Sequence, residues 1–175
     1  MLGHPGGLEH SRYLHELSFR PAGSRWLDMG AGDGETVRHL KELGNDAVGI
    51  DLEPRSDDVE QMDFLHTSFE AESFDGIISQ CAFYVSGDVP GALKEAARVL
   101  RSGGKLVFSD VCPNLRELMG FCREAGFAIR HMEDMTDIWK EYYIEALWRE
   151  DACCVPHQKG MSYVLFVCER RRDNG

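Results

Sequence analysis

The residues best placed to do chemistry lie in Arg25 to Thr36, RWLDMGAGDGET, where the acid Asp28 is followed by glycines at 30, 32 and 34. Glycine at alternate positions permits positive φ and leaves a bare backbone that a ligand can approach closely. The amides of a helix starting near Glu35 would then face that ligand. Spacing narrows the choice of ligand. A dinucleotide loop needs GxGxxG, and its third glycine would fall where Glu35 stands. Asp28 would also repel a pyrophosphate and pair instead with an amino cation. The loop therefore points to a cofactor carrying an ammonium group, and the same two acids disfavour an NAD-dependent oxidoreductase.

Several elements must hold this loop in place. Trp26, Leu27 and Met29 supply a short apolar strand before it, and Val37, Leu40 and Leu43 form the buried stripe of a helix after it, with Asp33 as a possible cap and Gly44 as the stop. AVGIDLE then reads as a second strand ending at Asp51. A short third strand is expected around Val59 to Met62, followed by Met62-Asp63-Phe64 and a fourth strand, FDGIIS, ending at Ser79. Strands alternating with helices imply a parallel sheet covered on both faces.

With its acid-x-G-x-G-x-G turn, the later acids Asp51 and Asp63, FDGIIS and RVLRSGGKLVFSDV, all in order, the chain resembles the class I S-adenosylmethionine (SAM) dependent methyltransferases. The resemblance implies one α/β Rossmann-like three-layer domain over 1–175, with a mostly parallel seven-stranded sheet and an antiparallel last strand. It implies SAM as methyl donor and S-adenosylhomocysteine as product. It assigns the cofactor to Asp28, Gly30, Ala31, Gly32, Gly34, Asp51, Leu52, Asp63, Phe64 and Ser79, with Asp51 on the ribose hydroxyls and Asp63 on the adenine amino group. The segment 1–20, with a helix from about Glu9 to Leu17, looks like the family's cap over the cofactor; the alternative is a surface helix that only covers the sheet edge.

Downstream, Asp88 and Pro90 open a helix whose Leu93, Ala96, Ala97 and Leu100 share one face. The Gly103-Gly104 turn should return the chain to a fifth strand. Asn114 with Glu117 reads as a capping box for the next helix, Gly126 ends it, and strands follow at Phe127 to Met132 and Ser162 to Cys168. Between these last strands, 133–159 forms a helical insertion with an aromatic face of Trp139, Tyr142, Tyr143, Ala146 and Leu147. Core packing, a dimer surface and a pocket wall compete for that face.

Methyl transfer from a sulfonium is an in-line displacement, so alignment and desolvation can supply much of the rate. A base is needed only if the acceptor must lose a proton. Asp110, Tyr84 and Cys81 are the acceptor-side candidates, with His66 and His131 as further bases. The Cys81 region also resembles the arsenite and quinone-biosynthesis branches. Cys81 with Cys112 or with Cys153-Cys154 could bind a soft metalloid through thiolates. Cys154 and His157 have only half the spacing of a zinc site, so no metal is expected.

The net charge of −11 argues against a polyanionic partner, and the basic run Arg170 to Arg172 reads as a solvated tail. No stretch is apolar enough to span a bilayer and MLGHPGGLEH lacks the features of a signal peptide, so the chain is read as cytoplasmic, with no membrane or nucleic-acid partner and a small-molecule substrate. The different-class alternative is a SAM-binding regulatory or partner protein without catalysis.

Overall fold

The structure, a computed structural model, describes residues 3–149 and 157–172. In chain order the elements are α1 (Gly7–Leu17), β1 (Arg25–Met29), α2 (Glu35–Glu42), β2 (Asp46–Asp51), β3 (Val59–Gln61), β4 (Phe74–Gln80), a 3-10 turn (Tyr84–Ser86), α3 (Val89–Val99), β5 (Leu100–Cys112), α4 (Leu115–Glu124), β6 (Phe127–Asp134), α5 (Thr136–Arg149) and β7 (Ser162–Arg170). The strands form one sheet in the order β3-β2-β1-β4-β5-β7-β6. The pairs among β1 to β5 are parallel, and β7 runs antiparallel to both β5 and β6. This is the Rossmann-like α/β sheet expected from the sequence, with the reversed last strand seated one position in from the edge.

The strand order reverses between β1 and β4, where the chain first winds outward through β2 and β3 and then returns to the other side. In such sheets the crevice beyond the carboxyl ends of the strands receives ligands. Two apolar layers flank the sheet. One packs Leu27, Met29, Ile77, Phe83, Leu93, Leu106, Phe108 and Phe166 under α3 and α4. The other packs Trp26, Val37, Leu40, Ile78 and Val107 with Leu14 of α1. Burial on both faces explains why β1 and β4 read as continuous apolar runs rather than alternating ones.

Three local expectations are corrected. Asp33 does not cap α2 in the ordinary way: the cap residue is Gly34 at φ 77°, and the Asp33 carboxylate accepts only the Glu35 amide, at 3.1 Å. Gly103-Gly104 does not form a loop before a strand at Lys105. Instead β5 starts at Leu100, directly after α3, and the glycines sit where its register against β4 shifts. The aromatic face of α5 is narrower than its spacing suggested. Trp139, Tyr142 and Ala146 are buried with Val111 and Tyr163, while Leu147 is exposed. Core packing accounts for the inward stripe, because Trp139 stacks obliquely on Tyr163 of β7 with ring centroids 5.9 Å apart. Asn114 does cap α4, its side-chain oxygen accepting the Glu117 amide at 3.2 Å.

Candidate active site

Beyond the ends of β1, β2 and β4 lies a cavity of about 650 Å3. Its wall includes the glycine loop (Gly30, Ala31, Gly32, Asp33), the β2 end (Asp51, Leu52, Glu53), Asp63, Phe64 and Leu65, the β4 end (Gln80, Cys81, Ala82), Val85 and Ser86, and Gly3 and His4 from the start of the chain. The sheet order sorts these groups. Asp51 and Asp63 stand on one side of β1, and Gln80, Cys81 and Ala82 on the other, with Asp28 between them at the end of β1.

Asp28 has the most unusual environment. It is 4% exposed, and no hydrogen bond or ion pair satisfies its carboxylate among the described residues. Burial, followed by the neighbouring charges of Asp51 and Asp33, pushes it up to about 8. A carboxylate held this way is neutral until a cation arrives. Six acids line the cavity (Asp28, Asp33, Glu35, Asp51, Glu53 and Asp63) against Arg55 as the one Lys or Arg among the described lining residues. The site therefore has a strong preference for positive charge.

Asp51 is committed to the loop it faces. One of its oxygens accepts the Gly32 amide at 2.9 Å and the other the Glu53 amide at 2.9 Å. Each oxygen keeps a further lone pair. Asp63 accepts the Leu65 amide at 2.8 Å, which turns the chain so that Phe64 and Leu65 both reach the cavity. Phe64 is fixed edge-on against Phe83 at 5.7 Å, and Leu52 is 58% exposed at the rim.

Some expected residues sit elsewhere. Ser79 is buried and donates to the Met29 carbonyl at 2.8 Å, tying β4 to β1 behind the cavity, and the next residue, Gln80, lines the wall instead. Gly34 is not among the lining residues; a Cβ there would press on Ser56, Asp58 and Val59, so its bareness lets the segment before β3 pack against α2. At Gly32, φ 54°, a Cβ would meet the Arg55 guanidinium, so this glycine is covered by the chain's own side chain. Asp110 is also raised, to about 6, by burial against the opposing pull of backbone amides, but it accepts from Tyr84 and Val111 amides at 3.1 and 2.8 Å and does not line the cavity. It fixes the turn after β4. Tyr84 packs beside Cys81 without lining the cavity, His66 is exposed, and His131 pairs with Glu133. Cys112 is in the apolar layer with Cys122, its thiol pushed up to about 11 by burial, and does not join Cys81 at the wall. Cys153 and Cys154 lie outside the described residues.

Sequence reasoning missed a polar floor contributed by α1 and the residues before it. Ser11 donates to Gln80 Oε1 at 3.0 Å and lies 3.0 Å from the Thr36 hydroxyl and 3.1 Å from His4 Nε2. In the Nε2–H tautomer His4 donates to Ser11 and its Nδ1 accepts from the Gln80 amide at 3.1 Å, whereas in the Nδ1–H tautomer it donates to the Pro5 carbonyl at 3.3 Å. Burial holds His4 below the usual histidine range, as this neutral role requires. Glutamine directly after an apolar strand was the one visible signal. Nothing in the spacing marked His4.

A methyltransferase domain family model matches residues 27–108, the stretch from β1 through the middle of β5. Among curated relatives, a sarcosine/dimethylglycine N-methyltransferase of Aphanothece halophytica is 32% identical over 57% of this chain and 42% of its own length. A malonyl-[acyl-carrier protein] O-methyltransferase of Coxiella burnetii is 33% identical over 64% of this chain and 43% of its own. The chain thus spans less than half the length of these relatives. Phosphoethanolamine N-methyltransferase 2 of Haemonchus contortus, solved with SAM, superposes with a TM-score of 0.79 at 19% identity, covering 97% of this chain and 54% of the other. The cyclase SpnF shares the fold equally well, with a TM-score of 0.76 at 17% identity over 94% of this chain and 80% of its own. Residues 27–108 thus match a methyltransferase domain model, and they lie in a sheet whose switch point carries the acid-and-glycine loop.

Proposed function

We propose that the chain transfers the methyl group of SAM to a small-molecule acceptor. One observation carries this reading above the others: a buried, unpaired carboxylate, Asp28, in a cavity with five further acids. Such a site disfavours phosphates and favours a ligand that brings its own positive charge. SAM brings an ammonium and a sulfonium. Asp28 would take the ammonium, Asp51 the ribose hydroxyls through the lone pairs left over from Gly32 and Glu53, and Asp63 with Leu52 and Phe64 the adenine. Gly30 and Ala31 would give the backbone edge along which the amino-acid portion lies, while Gly32 sits under the Arg55 guanidinium. The sulfonium methyl would then face Cys81, Val85 and Ser86 on the far side of β1, where the acceptor enters.

When bound, SAM supplies an activated methyl group, and the protein's part is to align and to exclude water. His4 and Gly3 line the cavity from the N-terminal segment, held by the Gln80 contact and by Tyr142 of α5, which donates to the Gly3 carbonyl at 2.9 Å. The acceptor class is a small molecule, by analogy with the sarcosine/dimethylglycine N-methyltransferase named above. A cytoplasmic setting would keep the free thiols reduced, and among the described residues no helix is long and apolar enough to cross a membrane. Because a cyclase shares this fold, the reading stands on the site and not on the architecture. Calorimetry with SAM and with S-adenosylhomocysteine tests it: both should bind, each more tightly than NAD. Absence of SAM binding removes the enzyme reading; binding without methyl transfer to any acceptor leaves the regulatory alternative.

A further inference from the structure

A second polar chain runs behind the acceptor side of the cavity. Cys81 lines the wall and holds φ 55°, a left-handed conformation that a residue with a Cβ seldom adopts. Its Sγ lies 3.1 Å from the Tyr163 hydroxyl on β7. That hydroxyl is 3.0 Å from Ser109 Oγ on β5, and Ser109 Oγ is 3.0 Å from His10 Nε2 on α1. Ser109 and Tyr163 are fully buried and His10 nearly so. Three groups from three elements thus converge, one behind another, on a single thiol.

The chain can run in either direction. With the thiol protonated, S–H donates to Tyr163, Tyr163 to Ser109, and Ser109 to His10 Nε2. With a thiolate, every hydrogen bond reverses: His10 Nε2–H donates to Ser109, Ser109 to Tyr163, and Tyr163 to sulfur. The reversed state needs the other neutral tautomer of His10: Nε2 gains a proton and Nδ1 gives one up to its surroundings, so the imidazole stays uncharged throughout. Charge-assisted hydrogen bonds are the stronger kind, and a chain of them reinforces its members. The unpaired Asp28 in the same cavity marks it as a place that awaits a cation.

Resting on the methyl-transfer reading, we propose that Cys81 is the proton acceptor of the reaction, with Tyr163, Ser109 and His10 as positioning residues that steady its thiolate. The thiolate takes the proton from an O–H, N–H or S–H of the acceptor as that atom bonds to the methyl carbon. The carbon–sulfonium bond breaks and its electron pair stays on the cofactor sulfur. The products are the methylated acceptor, S-adenosylhomocysteine and a neutral Cys81 thiol, which returns its proton to water.

The titratable groups around this thiol are Tyr163 from β7, Tyr84 from the 3-10 turn, Asp28 across the cavity, His4 from the N-terminal segment, and His10 through Ser109, with Glu133 acting on His10. Asp110 lies below, its oxygens turned to the Tyr84 and Val111 amides. The two nearby carboxylates oppose a thiolate, whereas the sulfonium of bound SAM favours one.

The test is the pH dependence of Cys81 alkylation by iodoacetamide, resolved by peptide mass, in the full chain with and without SAM. The midpoint with SAM bound should lie about one unit below the ~8.5 of a free thiol. Tyr163→Phe should raise it by about one unit, and Ser109→Ala should raise it by less, with melting curves confirming that both variants fold. S-adenosylhomocysteine, which lacks the sulfonium, should lower the midpoint less than SAM. A wild-type midpoint at or above ~8.5 with SAM bound, or an unchanged midpoint in folded Tyr163→Phe, overturns the proposal. Failure of the methyl-transfer reading shows separately, as absent SAM binding by calorimetry before any thiol is titrated.

Discussion

Cofactor binding should expel a proton from Asp28. With its carboxyl pushed up to about 8 by burial and by Asp51 and Asp33, about 0.9 of the free protein carries that proton at pH 7. An ammonium placed against the carboxylate favours the ionised form, so the bound state holds close to none. The SAM α-amino group, ordinarily near 7.7–8.0, is mostly charged already and takes up only about 0.1 proton at pH 7. Net release should therefore be about 0.8 proton per SAM at pH 7, passing through zero at about pH 8 and turning into uptake of about 0.9 proton by pH 9.5, where the free amino group is mostly neutral. Calorimetric titration in buffers of different ionisation enthalpy reads this number directly, since the observed heat varies linearly with buffer enthalpy at a slope equal to the protons exchanged. Asp28→Asn, nearly equal in size, should abolish the release and leave only the small uptake. If wild type releases no proton at pH 7, or if the Asn variant releases as many, then either Asp28 is ionised in the free protein or it does not meet the ammonium, and the charge argument for this site fails.

Other outcomes follow from the same geometry. Because the folded protein holds the Asp28 proton to higher pH than the unfolded chain, its share of stability is full below about pH 4 and is lost as pH rises toward about 8; the melting temperature of cofactor-free wild type should fall relative to Asp28→Asn across that window, and a constant difference would contradict it. Asp51→Ala should weaken SAM by roughly 1.5–3 kcal/mol for a lost charge-assisted hydrogen bond, measured as a change in Kd in a chain that still melts cooperatively. Gly34→Ala, at φ 77° with three side chains near 3 Å from the new methyl, should cost about 1–2 kcal/mol in denaturant unfolding. Trp139→Ala should cost about 3–5 kcal/mol, since this buried side chain joins α5 to β7.

What could be read from the amino-acid order was whatever depends on near neighbours. Asp28 and the glycines fall within one turn, and a short acid-glycine pattern after an apolar strand sets the backbone conformation and the charge of the loop, so the loop, the acids Asp51 and Asp63 at the next chain reversals, and the alternation of strand with helix were all legible. Gly34 and Ser79 misled for the same reason: pattern gives position along the chain but not which side of the backbone a neighbour occupies. Only the folded sheet decided that Ser79 turns back to Met29 while Gln80 turns to the cavity. Likewise it took the antiparallel seating of β7 between β5 and β6 to bring Tyr163 to Cys81, 82 residues away, and the docking of α1 to bring His10 to Ser109, 99 residues away. Hydrogen bonds at such separations leave no period or spacing in a sequence, because they depend on distances that exist only once the apolar layers have packed and excluded water from the polar groups between them.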